Sequence, residues 1–165
     1  MLRRVVNVIV MVALSGVVYA CAAVEEGDDE GLPDDAELDE VESRGQCEGG
    51  ANGFRDIPDT LRGSKVYSVN LGPAGFPRVT LYYGNVGGVR RGWAMIDGST
   101  HVGDLVWMDW TRDGGRTWIQ CGPFPVDYDG WTKTSAAQRT SSSSSWRFRA
   151  CGRAHGAYSV CGAWW

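Results

Sequence analysis

Histidine is almost missing from this 165-residue chain, which holds only His101 and His155. No two of its five cysteines have the close spacing of a zinc knuckle. These two deficits exclude the common structural zinc sets, so no metal and no cofactor is expected. A phosphate-cradling loop is also lacking: GNVGGV at 84–89 has neither the Lys-Ser/Thr ending nor a following helix. Beyond residue 21 no stretch keeps the three-and-four apolar spacing of an amphipathic helix, which excludes a helical fold.

Acid–base and nucleophilic machinery is equally sparse. Asp104 and Asp109 are an odd number of residues apart, so on a regular strand they face opposite sides and make no glycosidase pair. Asp127 and Asp129 share parity but lie in a loop bounded by proline and glycine. The oxygen ligands that would extend Asp127-Tyr128-Asp129-Gly130 into an EF-hand loop are absent. His155 has no serine or cysteine nucleophile beside it, since Cys151 and Cys161 are better used as a disulfide. No catalytic residue is assigned.

What is present begins with MLRRVVNVIVMVALSGVVYAC. Arg3 and Arg4 precede an apolar run from Val5 to Ala20, the layout of an export signal over residues 1–21. The run is too short and poorly flanked to read as a permanent span. Val18-Tyr19-Ala20-Cys21 resembles a bacterial lipobox with Cys21 as the lipidated residue, and its small residues also suit ordinary signal peptidase. The expected location is the extracellular side of the cell envelope, lipid-anchored or secreted, with membrane contact through the N-terminus if Cys21 is lipidated.

Residues 22–46 carry eleven acidic side chains against Arg44 alone, and no aromatic. Such a segment buries too little to offset its ordering entropy and reads as a disordered linker. From 47 to 165 the balance inverts, with thirteen Lys and Arg against nine Asp and Glu, although the whole chain has a formal charge of −4. All eight tryptophans fall in this part, enough large apolar surface for one core. Setting Cys21 aside leaves Cys47, Cys121, Cys151 and Cys161, an even set in an oxidising compartment. Chain proximity favours Cys47–Cys121 with Cys151–Cys161, while Cys121–Cys151 with Cys47–Cys161 would staple the chain ends together.

Seven short β-rich runs follow one another: SKVYSVNL, VTLYY, Trp93 to Ile96, LVWMDW, RTWIQC, SWRFRAC and AYSVCGAWW. Glycine, proline and serine punctuate them, the signature of an all-β domain, here a compact antiparallel sandwich or irregular barrel with disulfides. The stretch from Gly130 to Ser145 reads as a long exposed loop or irregular excursion.

Between LVWMDW and TWIQCG lies Thr111-Arg112-Asp113-Gly114-Gly115-Arg116-Thr117-Trp118, which resembles the Asp-box hairpin of sialidase propellers and of several unrelated secreted β proteins. The resemblance implies a structural role: Asp113 accepts turn N–H groups, Gly114 and Gly115 take positive φ, and Trp118 folds over the outer face. One copy argues against a propeller. On a larger scale the series GWAMIDG, GDLVWMDWTRDGGRTWIQCGPF, SWRFRACG and CGAWW is similar to small exported actinobacterial β-domain proteins of unassigned activity, which implies a disulfide-bonded exported domain and carries over no site residue.

Candidate binding residues are then basic and aromatic. Arg147, Arg149 and Arg153, joined by Arg90 and Arg91, form a candidate basic face for anionic polymers, with the acidic linker as its first competitor. Trp110, Trp131, Trp164 and Trp165 are candidates for stacking on sugar rings. Nucleic acid is not an expected partner, because the net positive excess is small and the compartment is wrong. The expected function is an exported noncatalytic binding or interaction module at the bacterial cell envelope, with cell-wall glycans, anionic polymers or an exported protein as partner. The alternative is a small secreted hydrolase of cell-wall or extracellular glycans.

Overall fold

The computed structural model describes residues 44–165. The signal segment, Cys21 and residues 22–43 of the acidic linker lie outside the described residues. The described part is an antiparallel two-sheet sandwich, open at its edges, so the barrel alternative does not apply. After a 3₁₀ segment at Glu48–Gly53 come β1 Ser64–Asn70, β2 Arg78–Val86, β3 Val89–Asp97, β4 Leu105–Thr111 and β5 Ile119–Pro125. They are followed by β6 Lys133–Thr134, β7 Gln138–Arg139, β8 Arg147–Arg153 and β9 Val160–Cys161. One sheet runs β1-β2-β3-β6, with β7 also paired to β3, and the other runs β5-β4-β8-β9.

Alternation decides which side chains meet between the sheets. Val79 and Leu81 of β2, Ala94 and Ile96 of β3, Val106, Met108 and Trp110 of β4, and Phe148 and Ala150 of β8 fill one shared core. The Val86–Gly87–Gly88–Val89 connection is a two-residue hairpin, with both glycines at positive φ, which explains GNVGGV as turn chemistry. Most sequence-expected runs become strands within a residue or three. RTWIQC starts its strand only at Ile119, because Arg116 to Trp118 belong to the preceding turn, and the last run pairs over Val160–Cys161 alone.

The segment from Gly130 to Ser145 corrects the expectation of a long exposed loop. Thr134 to Gln138 are all buried, and β6 and β7 both pair with β3. Polar side chains here complete backbone bonding: Ser135 Oγ accepts the Ala94 N–H at 3.0 Å, and Asp59 Oδ1 accepts the Thr134 N–H at 3.0 Å. With Ile57 and Leu61, Ala137 covers the outward-facing Trp93 and Met95 in a second small core. A polar stretch is therefore interior because its hydrogen bonds are satisfied there.

Both disulfides follow the pairing that chain proximity favours. Cys47–Cys121 ties the start of the domain to β5 within the main core, and Cys151–Cys161 joins β8 to β9. Among the described residues no helix is long and apolar enough to cross a membrane.

Candidate functional site

Asp104, just before β4, is 1% exposed and divides its carboxylate between two loops. Its Oδ2 accepts the His101 backbone N–H at 2.7 Å and its Oδ1 accepts the His155 N–H at 2.7 Å. Both histidines of the chain are thereby fixed at one end of the sandwich, although 54 positions separate them (155 − 101). A third loop joins them: Asp129 Oδ1 accepts the Val102 N–H at 2.8 Å and lies 3.7 Å from His101 Nδ1. Thr100 locks this loop further, accepting the Gly130 N–H at its carbonyl and donating its hydroxyl to the Trp131 carbonyl at 2.7 Å.

The three loops, with Phe76 and Pro77 from the turn before β2, enclose an open cavity of about 300 Å³ lined by His101, Val102, Asp104, Asp129 and His155. Phe76 and Val102 are exposed at 45% and 57%, so each presents apolar surface at the cavity. On the Asp129 loop, Tyr128 and Trp131 are both 59% exposed and their rings lie 4.6 Å apart. An apolar-walled concavity with a few fixed polar groups is the usual form of a ligand site. Asp104 is committed to backbone N–H groups on both oxygens, leaving the imidazoles and the Asp129 carboxylate to face a ligand.

Asp127 and Asp129 do not work as a pair. Asp127 Oδ2 binds Lys133 Nζ at 2.9 Å, and Lys133 also meets Asp59 at 3.3 Å, whereas Asp129 belongs to the cavity. Asp109 lies on the outer face of β4, paired with Arg149, and serves a different part of the molecule from Asp104.

The expected basic face has a different composition from the one its parity suggests. Arg147 and Arg149 do project opposite Phe148, as a strand requires. Arg149, however, gives its Nε–H to Asp109 Oδ2 at 2.7 Å and lies over the rings of Trp164 and Trp118, at 4.5 and 5.0 Å. Its charge is matched internally. Arg91 is spent on the carbonyls of Gly53 and Ala137, and Arg90 lies over the Tyr83 ring. Arg147 is exposed and holds the Ser144 carbonyl through Nε; Arg153 is exposed at the end of β8. The arginines thus form no single open patch.

Trp110 also departs from expectation: at 4% exposure it is a core residue, with Phe54 and Trp146 edge-on at 5.6 and 5.1 Å. Parity is the reason: with Val106 and Met108 it lies on the face of β4 that meets the other sheet. Trp131 is open, whereas Trp164 is half-buried against Arg149 and Trp165 packs on Tyr83.

The turn at Thr111 to Trp118 has the bonding expected of a structural motif. Asp113 Oδ1 accepts the Arg116 and Thr117 N–H groups at 2.9 and 3.0 Å, and Oδ2 accepts the Thr117 hydroxyl at 2.7 Å. Thr111 Oγ1 donates to Asp113 Oδ1 and accepts the Gly115 N–H. These donors, the Thr117 N–H and hydroxyl foremost, hold the Asp113 carboxyl well below the usual carboxylate range. Gly114 and Gly115 have φ of 80° and 99°, and the Trp164 indole covers the place where a Gly115 Cβ would stand. Trp118 lies on the outer face at 49% exposure.

In the sequence alone Asp129 and His155 are weighed for catalysis and set aside, and Phe76, His101 and Val102 have no role. The available signal was that both histidines flank glycine-bearing turns next to Asp104 and β8. No family model, no curated protein and no solved structure matches the chain.

Proposed function

We propose that this protein is an exported, noncatalytic binding module of the bacterial cell envelope, and that the loop end carrying His101, Asp129 and His155 takes a saccharide unit of an envelope glycan. One observation carries the reading: the cavity has three open polar side chains, and one of them, Asp129, lies on the loop that also carries the exposed Tyr128–Trp131 ring pair. Sugars present apolar C–H faces rimmed by hydroxyls, so they call for aromatic faces beside immobile hydrogen-bonding groups. The export signal and lipobox-like Cys21 support the envelope location, and the acidic linker supports a role as a self-repelling spacer.

Glycan hydrolysis ranks second. It needs an acid and a base flanking the scissile bond. Asp104 is consumed by two backbone donors, which leaves Asp129 as the sole open carboxylate among the residues that line the cavity.

Equilibrium binding of soluble cell-wall glycan fragments tests the proposal. Wild type should bind, and Trp131→Ala and Asp129→Asn should each lower affinity about tenfold or more, consistent with loss of a stacking face or fixed polar contact. Equal affinity in all three proteins overturns the site, and product release from the fragments replaces binding with the hydrolase reading.

A further inference from the structure

The second disulfide sits in surroundings unlike those of the first. Cys47–Cys121 is enclosed in the main core, with both cysteines fully buried. Cys151–Cys161 lies on the outer face of the second sheet, and its two ends differ: Cys151 is fully buried, while Cys161 is exposed on the edge strand β9. Asp109, on the neighbouring β4, holds its Oδ2 3.7 Å from Cys151 Sγ.

A disulfide sulfur has no hydrogen to donate, so in the oxidised protein a carboxylate oxygen faces an atom that offers it no bond. The other oxygen, Asp109 Oδ1, is buried with no hydrogen-bond partner. Only Arg149 serves this group, through Oδ2. Buried polar atoms are costly while unpaired. Reduction adds a donor: a Cys151 thiol lies within reach of Asp109 Oδ2, the oxygen that Arg149 already serves, while Oδ1 keeps no partner. The surroundings therefore favour the dithiol more than an apolar pocket does, which makes the disulfide a better oxidant.

We propose that Cys151–Cys161 is a redox-active disulfide that oxidises pairs of thiols on an exported substrate, with Asp109 as the proton donor to Cys151. In the first step a substrate thiolate attacks the exposed Cys161 sulfur. The substrate–Cys161 S–S bond forms, the Cys151–Cys161 bond breaks, and its electron pair goes to Cys151, which takes a proton from the Asp109 carboxyl. In the second step another substrate thiolate attacks the substrate sulfur of the mixed disulfide and releases Cys161, protonated from solvent. Two substrate thiols become one disulfide, and the protein is left as a dithiol carrying the two electrons. Solvent restores the Asp109 proton.

Burial pushes the Asp109 carboxyl upward against the opposing pull of Arg149. The groups facing it are Arg149 and Cys151 from β8, the Tyr67 phenol from β1, which is electrostatically coupled to Asp109, and the neutral Gln120 opposite it on β5.

The test is timed reduction of the whole folded protein by dithiothreitol and by glutathione. Alkylation and peptide mapping follow each disulfide while tryptophan fluorescence reports the fold. Cys151–Cys161 should open at least about tenfold faster than Cys47–Cys121, with the fluorescence unchanged. Rates normalised to reagent thiolate should fall as pH rises through the Asp109 titration. In Asp109→Asn the reaction should be slower and that falling limb absent, a signature that a structural role alone would not produce. Opening of the two disulfides together, or only with unfolding, overturns the proposal, as does an Asp109→Asn variant with the wild-type rate and pH profile. Should that variant fail to fold, the selectivity between the two disulfides in the wild type decides by itself.

Discussion

His155 donates its backbone N–H to Asp104 Oδ1 at 2.7 Å, so a residue at the foot of β4 fixes the loop that leaves β8. The second oxygen does the same for His101, and the cavity exists because one buried carboxylate holds two of its walls. Asp104→Ala removes both acceptors and should cost about 1–3 kcal/mol, the penalty for stranding partly buried donors. Chemical denaturation measures the loss. Glycan affinity should fall with it, because Asp104 holds both histidine loops in place with its two oxygens.

Arg147 and Arg149 are two residues apart on the same strand face, yet their substitutions should diverge. Arg149→Glu removes the one donor of the buried Asp109 and sets a second carboxyl beside it, and should destabilise the fold by about 3–5 kcal/mol, the range for breaking a buried pair. Arg147→Glu changes an exposed residue and should stay within about 0.5 kcal/mol. Parallel urea unfolding of the two variants separates them; similar midpoints would contradict the internal pairing of Arg149.

The Thr111–Trp118 turn should weaken under acid. Donors hold the Asp113 carboxyl below its ordinary range, so its stabilising contribution is complete above the unfolded-state carboxylate titration and is lost as pH falls through the depressed folded value. Asp113→Ala should lower the denaturation midpoint at neutral pH and flatten the acid limb of the stability curve. Glycan affinity should not change, because the turn and the cavity are built from different residues.

Trp110 and Trp131 make the complementary contrast. Trp110→Ala empties a core position and should cost about 3–5 kcal/mol. Trp131→Ala should leave the unfolding midpoint nearly unchanged while reducing glycan affinity.

These pairs also mark how far the sequence could be read. Period-two runs disclosed the all-β class, and chain proximity favoured the cysteine partners that the structure adopts. The Asp113 turn was legible because the bonds of the Asp113 carboxylate and the Thr111 hydroxyl lie within eight consecutive residues. Trp110 was misjudged because composition does not tell which face of β4 meets the other sheet. Thr134 to Gln138 were misjudged because their burial depends on acceptors such as Asp59, far away in the chain. The cavity was the least legible feature: Phe76, His101, Asp129 and His155 come from four separate connections, and only the sandwich topology brings them together. Arg149 is similar, since a strand pattern gives its face and not the Asp109 opposite it.

The most direct measurement is a nuclear magnetic resonance titration of the isotopically labelled protein with soluble cell-wall glycan fragments. Saturable shifts are expected at the backbone amides of His101, Val102, Asp129, Gly130, Trp131 and His155 and at the Trp131 indole, with the Arg147–Arg149 strand and the Asp113 turn undisturbed. Shifts confined to Arg147, Trp118 and Trp164, or no saturable shifts with any fragment, would contradict the proposed site.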